Sequence, residues 1–331
     1  MRLLLQLGLA VIIFGFLVLT VVSQWSDIKN EGVHFHVLWL IPGLIILVLY
    51  YAVSAYGWNL ILRSLGHKIG FARAQVAWGQ PLLARYVPGS ILYVLGRVLL
   101  SERAGVPRRI SVASIVYEQA ISATSAIVVA AYFVIKHPDL QGDPIRWGVL
   151  LLIPLAILVL HPKVFGALSK KALTALGREP LPVVMSLRDV IALIVYYSLI
   201  WLGVAFGIYS VARSVLYIPY SDILLIGSAQ AIGYFAALVT LVAPAGLGVR
   251  DAAFAWAAQA ALNGQHKFAR ATLISIAVRG VMTVAELIYV AIVTVMGRRE
   301  GWSIQTGILH PSPEEEQDTG EHVAAHTSEI L

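Results

Sequence analysis

Seven ionisable residues stand inside apolar sequence: Arg85, Arg97, Glu118, Arg250, Asp251, Arg279 and Glu286. Charged side chains in hydrocarbon are costly and mark sites by default. A guanidinium holds phosphate in bidentate fashion, so four arginines among three carboxylates point to recognition of an anionic headgroup. The charges gather at two breaks, RYVPGSILYVLGR at 85–97 and APAGLGVRDAAF at 243–254. In hydrocarbon every backbone amide needs an internal partner, so such breaks are tolerated only under protein or beside a water-filled cavity. Half-helices starting at Ser90 and Asp251 would aim free amides into the membrane, and helix N-termini are ready anion sites. Arg97 and Arg250 are the expected phosphate clamp, with Glu118, Asp251 and Glu286 pairing with arginines in the empty site or meeting a cationic or sugar headgroup. Arg279 and Glu286 lie two turns apart on one helical face. The plainer alternative is that the charges pair among themselves, Arg279 with Glu118 or Glu286, and lock the bundle.

Other chemistries lack their residues. The chain has no cysteine, which excludes disulfides and thiolate metal sites. No P-loop, GxSxG or HExxH occurs, and GLGVRD at 246–251 follows no strand, so a dinucleotide reading fails. His34 and His36 have no carboxylate support, His310, His322 and His326 are lone histidines of a surface tail, and no metal or cofactor is expected. Gly203 and Gly207 form a GxxxG pair that permits close helix contact.

The elements that hold these residues are membrane helices. Of 331 residues 59% are hydrophobic and 13% charged, against about 25% charged in soluble domains. Mean hydropathy is +0.80 and the pI about 9.5. The net charge of +6 sits in short loops, where positive-inside topology accounts for it without nucleic acid. Spans are expected at 3–22, 37–62, 110–135, 147–168, 190–211 and 271–295, each near the ~20 residues that cross a bilayer. The first is read as a retained helix rather than a secretory signal, its apolar core being too long. The fourth is interrupted by Pro154 and by His161-Pro162-Lys163.

Between spans, 74–83 and 90–100 are half-length, and 223–243 and 251–262 flank the second break. Basic loops at 63–73 and 101–110 put both ends of the first odd region on the cytoplasmic side, making it re-entrant. Placing Arg298 and Arg299 inside requires the second to re-enter from the opposite face. The expected fold is therefore all-α, about six transmembrane helices plus two re-entrant hairpins in an inverted repeat, 37–135 and 190–297, within a membrane domain of residues 1–300. Residues 301–331 read as a disordered acidic tail, and both termini as cytoplasmic, at a plasma or inner membrane.

VPGSILYVLGR at 87–97, Glu118-Gln119 within a span, and PAGLGVRDAAF at 244–254 resemble the lysylphosphatidylglycerol-synthase transmembrane family of flippase-like proteins. The order and spacing of these motifs suit residues 1–300. The family pattern at the second motif reads PGGLGVRE; here Ala245 and Asp251 stand in and keep the glycine turn and the acid. The resemblance implies lipid handling: fused members flip a lysylated or alanylated phosphatidylglycerol, and stand-alone members accompany lipid-linked glycan pathways. A tail of about 30 residues is too short for an aminoacyl-transferase domain, so a stand-alone member without synthase activity is expected. The expected substrate-binding set is Arg85, Pro88, Gly89, Ser90, Tyr93, Arg97, Glu118, Gln119, Gly246, Gly248, Arg250, Asp251, Arg279 and Glu286. The expected function is a non-enzymatic flippase for a phosphate-bearing lipid (polyprenyl-phosphate, lipid-linked sugar, or anionic or aminoacylated phospholipid), moved through a central charged cavity. Two rivals are a membrane-embedded lipid-modifying transferase using Glu118 or Asp251 as base, and a non-transporting partner subunit of a membrane glycosyltransferase. Expected partners are the anionic-headgroup lipid, the bilayer and a glycosyltransferase or lipid-modifying enzyme.

Overall fold

Proline and glycine decide where the helices stop. The structure is a computed structural model that describes residues 22, 36–86, 91–136, 145–175, 184–240, 248–299 and 301–302. The expected first span (save Val22), Pro88, Gly89, Ser90, Gly246 and the acidic tail lie outside the described residues. The helices are α1 (Val37–Ser64), α2 (Phe71–Gly79) with a 3-10 turn (Gln80–Tyr86), α3 (Ile91–Arg103), α4 (Arg108–Lys136), α5 (Ile145–Leu160) and α6 (Pro162–Ala175). They continue as α7 (Leu187–Val215), a 3-10 turn (Tyr220–Asp222), α8 (Ile223–Thr240), α9 (Val249–Ala258) and α10 (Lys267–Arg299). No β-strand occurs among the described residues.

The protein is a multi-pass membrane protein. Among the described residues five segments are long and apolar enough to cross a bilayer: α1, α4, α7, α8 with its leading turn, and α10. Among the same residues a sixth crossing is available as a bent pair. The expected interrupted span at 147–168 is two helices, α5 and α6, meeting at 71°. Pro162 lacks an N–H, and its ring disfavours helical backbone at His161. Pro162 therefore opens α6, whose first turn closes with Phe165 N–H donating to His161 O at 2.9 Å. Pro154, by contrast, stays within α5.

The half-length segments have the expected scale. At 1.5 Å per residue, the 10 residues of α9 cover half a bilayer. Helix α2, at 9 residues, is shorter still. Helix α8 is longer than a half-span and passes as a crossing by length and composition. Gly66, at φ +85°, ends α1, with His67 N–H returning to Leu62 O at 2.9 Å; a left-handed residue here favours glycine.

Lipid offers no solvophobic drive between helices, so close packing at small residues holds them. Helices α1 and α7 make the most extensive contact. A Cβ on Gly43 would stand 2.9 Å from Val211 Cγ2, and one on Gly207 3.1 Å from Ile46 Cγ2. Gly203, the other half of the expected GxxxG pair, meets nothing within 4 Å. His36 N–H donates to Ser214 O at 2.8 Å, so the start of α1 lies beside the end of α7 and the two run antiparallel. Outward faces carry bare apolar side chains such as Leu38, Leu151 and Leu199, as a lipid-facing surface should.

Among the described glycines the tightest helix contact is between α8 and α7. A Cβ on Gly227 would fall 2.1 Å from Ala205 Cβ and 2.7 Å from its Cα. Neither atom can swing away. Gly227→Ala is expected to separate the two helices at a cost of about 1–3 kcal/mol, the range for overpacking. A lower melting temperature in detergent checks this, and Ala205→Gly in the same chain should recover part of it.

Candidate functional site

One face of α10 organises the charged interior. Arg279, Met282, Glu286 and Tyr289 follow at i, i+3, i+7 and i+10, a single stripe that meets α9, the 3-10 turn after α2, and α2 itself. The Arg279 Nε and Nη2 donate to Asp251 Oδ1 and Oδ2 at 3.1 and 2.8 Å, a two-pronged ion pair with the first turn of α9. Glu286 Oε2 holds Arg85 Nη2 at 2.5 Å, from the 3-10 turn after α2. Tyr289 donates to Gln75 Oε1 of α2 at 2.8 Å. Between the two ion pairs, Met282 Sδ stands 3.0 Å from Arg250 Nη2.

Asp251 also builds the start of α9. The helix begins at Val249 with Gly248 as its N-cap, two residues earlier than the expected start at Asp251. Gly248 adopts φ +83°, a region closed to most side chains. Its N–H donates to Asp251 Oδ2 at 3.1 Å, so one carboxylate caps a helix and holds Arg279. The main-chain oxygen of Asp251 accepts from Ser275 Oγ at 3.1 Å, tying α9 to α10 again.

Arg97 is sealed from solvent behind Trp78, whose ring meets Tyr289 of the stripe with centroids 6.0 Å apart. Its Nη1 stands 2.7 Å from Glu118 Oε2, and the side chains are 0% and 5% exposed. The same nitrogen donates to Tyr93 Oη at 2.9 Å. The guanidinium carbon lies 4.7 Å from the Trp58 ring centroid, 5.5 Å from Tyr93 and 5.8 Å from Trp78. Trp78 Nε1 donates to Glu118 Oε1 at 2.7 Å, and Trp58 Nε1 to Ser114 Oγ at 2.9 Å. The ring faces compensate a guanidinium whose Nε and Nη2 have no hydrogen-bond partner. Tyr93 thus serves Arg97.

The pairing differs from both sequence expectations for Arg279. Glu118 belongs to Arg97 and Glu286 to Arg85, while Arg279 takes Asp251. Residues seven apart on one helix are separated by about 10 Å along its axis, so Arg279 reaches across to α9 more readily than along α10. Gln119 is exposed and accepts from Tyr234 at 3.3 Å. One residue along α4 from Glu118, it is turned about 100° away and does not join the charged set.

Arg250 is left with different company. Gln230 of α8, its carboxamide oxygen turned to the guanidinium, accepts from Arg250 Nε at 3.3 Å and from Nη2. No carboxylate among the described residues pairs with Arg250. Its like-charged neighbours are Arg279 and Arg85. Gln230, 4% exposed inside an apolar segment, and Met282 were not singled out from sequence. A buried glutamine on an apolar helix was the signal for the first; the stripe spacing from Arg279 was the signal for the second. Among the described residues no three His, Asp or Glu side chains converge as metal ligands do.

A multi-pass helical membrane protein with an arginine-rich polar interior is the class defined by this fold and site. The profile described as the lysylphosphatidylglycerol synthase TM region matches residues 5–289, and the chain belongs to that family. Neither a curated protein nor a solved structure matches the chain.

Proposed function

We propose that the protein moves a phosphate-bearing lipid between leaflets, with Arg250 as the headgroup clamp and Arg85 and Arg279 on either side of it. One observation carries this reading: of Arg85, Arg97, Arg250 and Arg279, three have carboxylate partners and Arg250 has an amide and a thioether. An uncompensated cation in low dielectric is expensive, and a phosphate entering beside it supplies the missing charge. Family membership supports a lipid-related role in the membrane.

Asp251 and Glu286 hold Arg279 and Arg85 between turnovers. As phosphate oxygens approach, the two arginines exchange carboxylate for phosphate partners of similar geometry. Acyl or prenyl chains remain in lipid alongside the outward faces. Arg97 and Glu118 act as a positioning pair that fixes α3 to α4. In this reading α2–α3 and α8–α9 are re-entrant hairpins of an inverted repeat, and rocking one half against the other exposes the clamp to each side in turn. The termini then face the cytoplasm at a plasma or inner membrane, and the chain carries no catalytic group of its own.

Purified protein in liposomes should accelerate translocation of a labelled phosphatidylglycerol but not of a labelled glycosylceramide, which has a sugar and no phosphate. Rates equal to those of empty vesicles overturn the proposal. A covalently modified lipid recovered from the vesicles would make the protein a transferase instead.

A further inference from the structure

A second arginine site lies far from the α10 stripe. Arg213 closes the last turn of α7, at the end of the bundle where α1 begins and opposite the end carrying Arg63 and Arg188. Four rings surround its guanidinium carbon: Tyr220 at 4.3 Å, Trp39 at 4.8 Å, Tyr217 at 5.1 Å and Tyr209 at 5.8 Å. The Nη1 is committed, donating to Tyr209 Oη and to Ile218 O at 2.9 Å. The Nε and Nη2 donate to nothing among the described residues. Asp222, in the adjoining turn, takes its side-chain contact from Ser221 rather than from Arg213.

The cage is held rigid on one side and open on the other. Tyr209 is 2% exposed and anchors the guanidinium. Tyr217 and Tyr220 are 73% and 62% exposed, and no hydrogen bond engages either phenol through the described residues. Two guanidinium donors without an acceptor among the described residues thus lie beside two exposed phenol rings. Tryptophan and tyrosine at a helix end sit at headgroup depth. A cation would be repelled by Arg213, whereas a phosphate accepts two parallel hydrogen bonds from a guanidinium edge.

We infer that Arg213 with Tyr217 and Tyr220 forms a lipid-phosphate site at the membrane interface, separate from the central clamp. Its ligand is the phosphate of a phospholipid whose chains lie against the adjoining lipid-facing surface. The site holds one such lipid at the face opposite Arg63 and Arg188.

The test uses the full chain in detergent, titrated with phosphatidylglycerol and read by native mass spectrometry. One saturable lipid step is expected that Arg213→Gln weakens about tenfold, the scale of one lost charge-assisted contact. The Tyr217→Phe/Tyr220→Phe double variant, which keeps the rings and removes the hydroxyls, should weaken the same step several-fold. Arg250→Gln should leave it in place, which separates this site from the proposed clamp. Diacylglycerol, lacking phosphate, should give no such step. If inorganic phosphate displaces the lipid, the site takes a free anion and the lipid assignment is overturned. Should Arg213→Gln fail to fold, the double variant decides: undiminished retention there overturns the site.

Discussion

Arg250→Gln is expected to slow translocation of a phosphate-bearing lipid by about 10- to 100-fold while leaving the melting temperature in detergent equal or higher. The two effects have one cause. Hydrogen bonds to a charged group contribute ~1.5–3 kcal/mol, and each 1.4 kcal/mol is about tenfold, so losing the guanidinium removes that much headgroup binding. In the empty protein the same guanidinium is repelled by Arg279 and Arg85, and Asp251, the nearby carboxylate, is committed to Arg279. Removing it relieves like-charge repulsion and a desolvation cost. Liposome translocation and thermal melting check the two halves separately. An unchanged rate in a folded variant would move the headgroup contact elsewhere, and a sharp fall in melting temperature would make Arg250 a structural residue.

The largest stability effect is expected at Arg97. Arg97→Met leaves the Glu118 carboxylate buried with the Trp78 N–H as its hydrogen-bond donor. Stranding one member of a buried ion pair costs about 3–5 kcal/mol, a large share of the ~5–15 kcal/mol that holds a domain folded. Adding Glu118→Gln removes the stranded charge and keeps an oxygen for Trp78. The double variant should therefore melt near the wild type, and the cycle should show a strong coupling energy. Translocation by the double variant is expected within a few-fold of wild type, because the Arg97 side chain is 0% exposed and presents nothing to a headgroup. A folded double variant that no longer transports would restore Arg97 to the phosphate clamp.

These outcomes divide the two arginines that looked equivalent as sequence. Both flank a glycine-rich break, both stand in apolar surroundings, and both were expected to grip phosphate. The structure separates them by partners. Arg97 has Glu118 and three aromatic faces, contributed by α1, α2, α3 and α4. Arg250 has Gln230 from α8 and Met282 from α10. Apart from Tyr93 and Arg97, four residues apart on α3, none of those contacts is local, so spacing rules could not reveal them.

The bent α5–α6 pair makes the opposite point. His161-Pro162-Lys163 was visible as an interruption because proline acts on its own neighbours. Its consequence, 71° between helices, needed the neighbouring elements. Phe165 stacks on Tyr117 with centroids 4.1 Å apart, which draws α6 against α4.

By itself the sequence determined the solvent, the helices and the identity of the charged residues. Hydrocarbon demands continuous apolar runs with satisfied backbones, and that demand is written in composition and in the positions of proline and glycine. Family membership followed from the same two broken segments. Tertiary structure alone decided which carboxylate neutralises which arginine, because pairing depends on distances between elements far apart in the chain. Seven charges at fixed positions allow several pairings, and packing selected the one in which Arg250 keeps no carboxylate among the described residues.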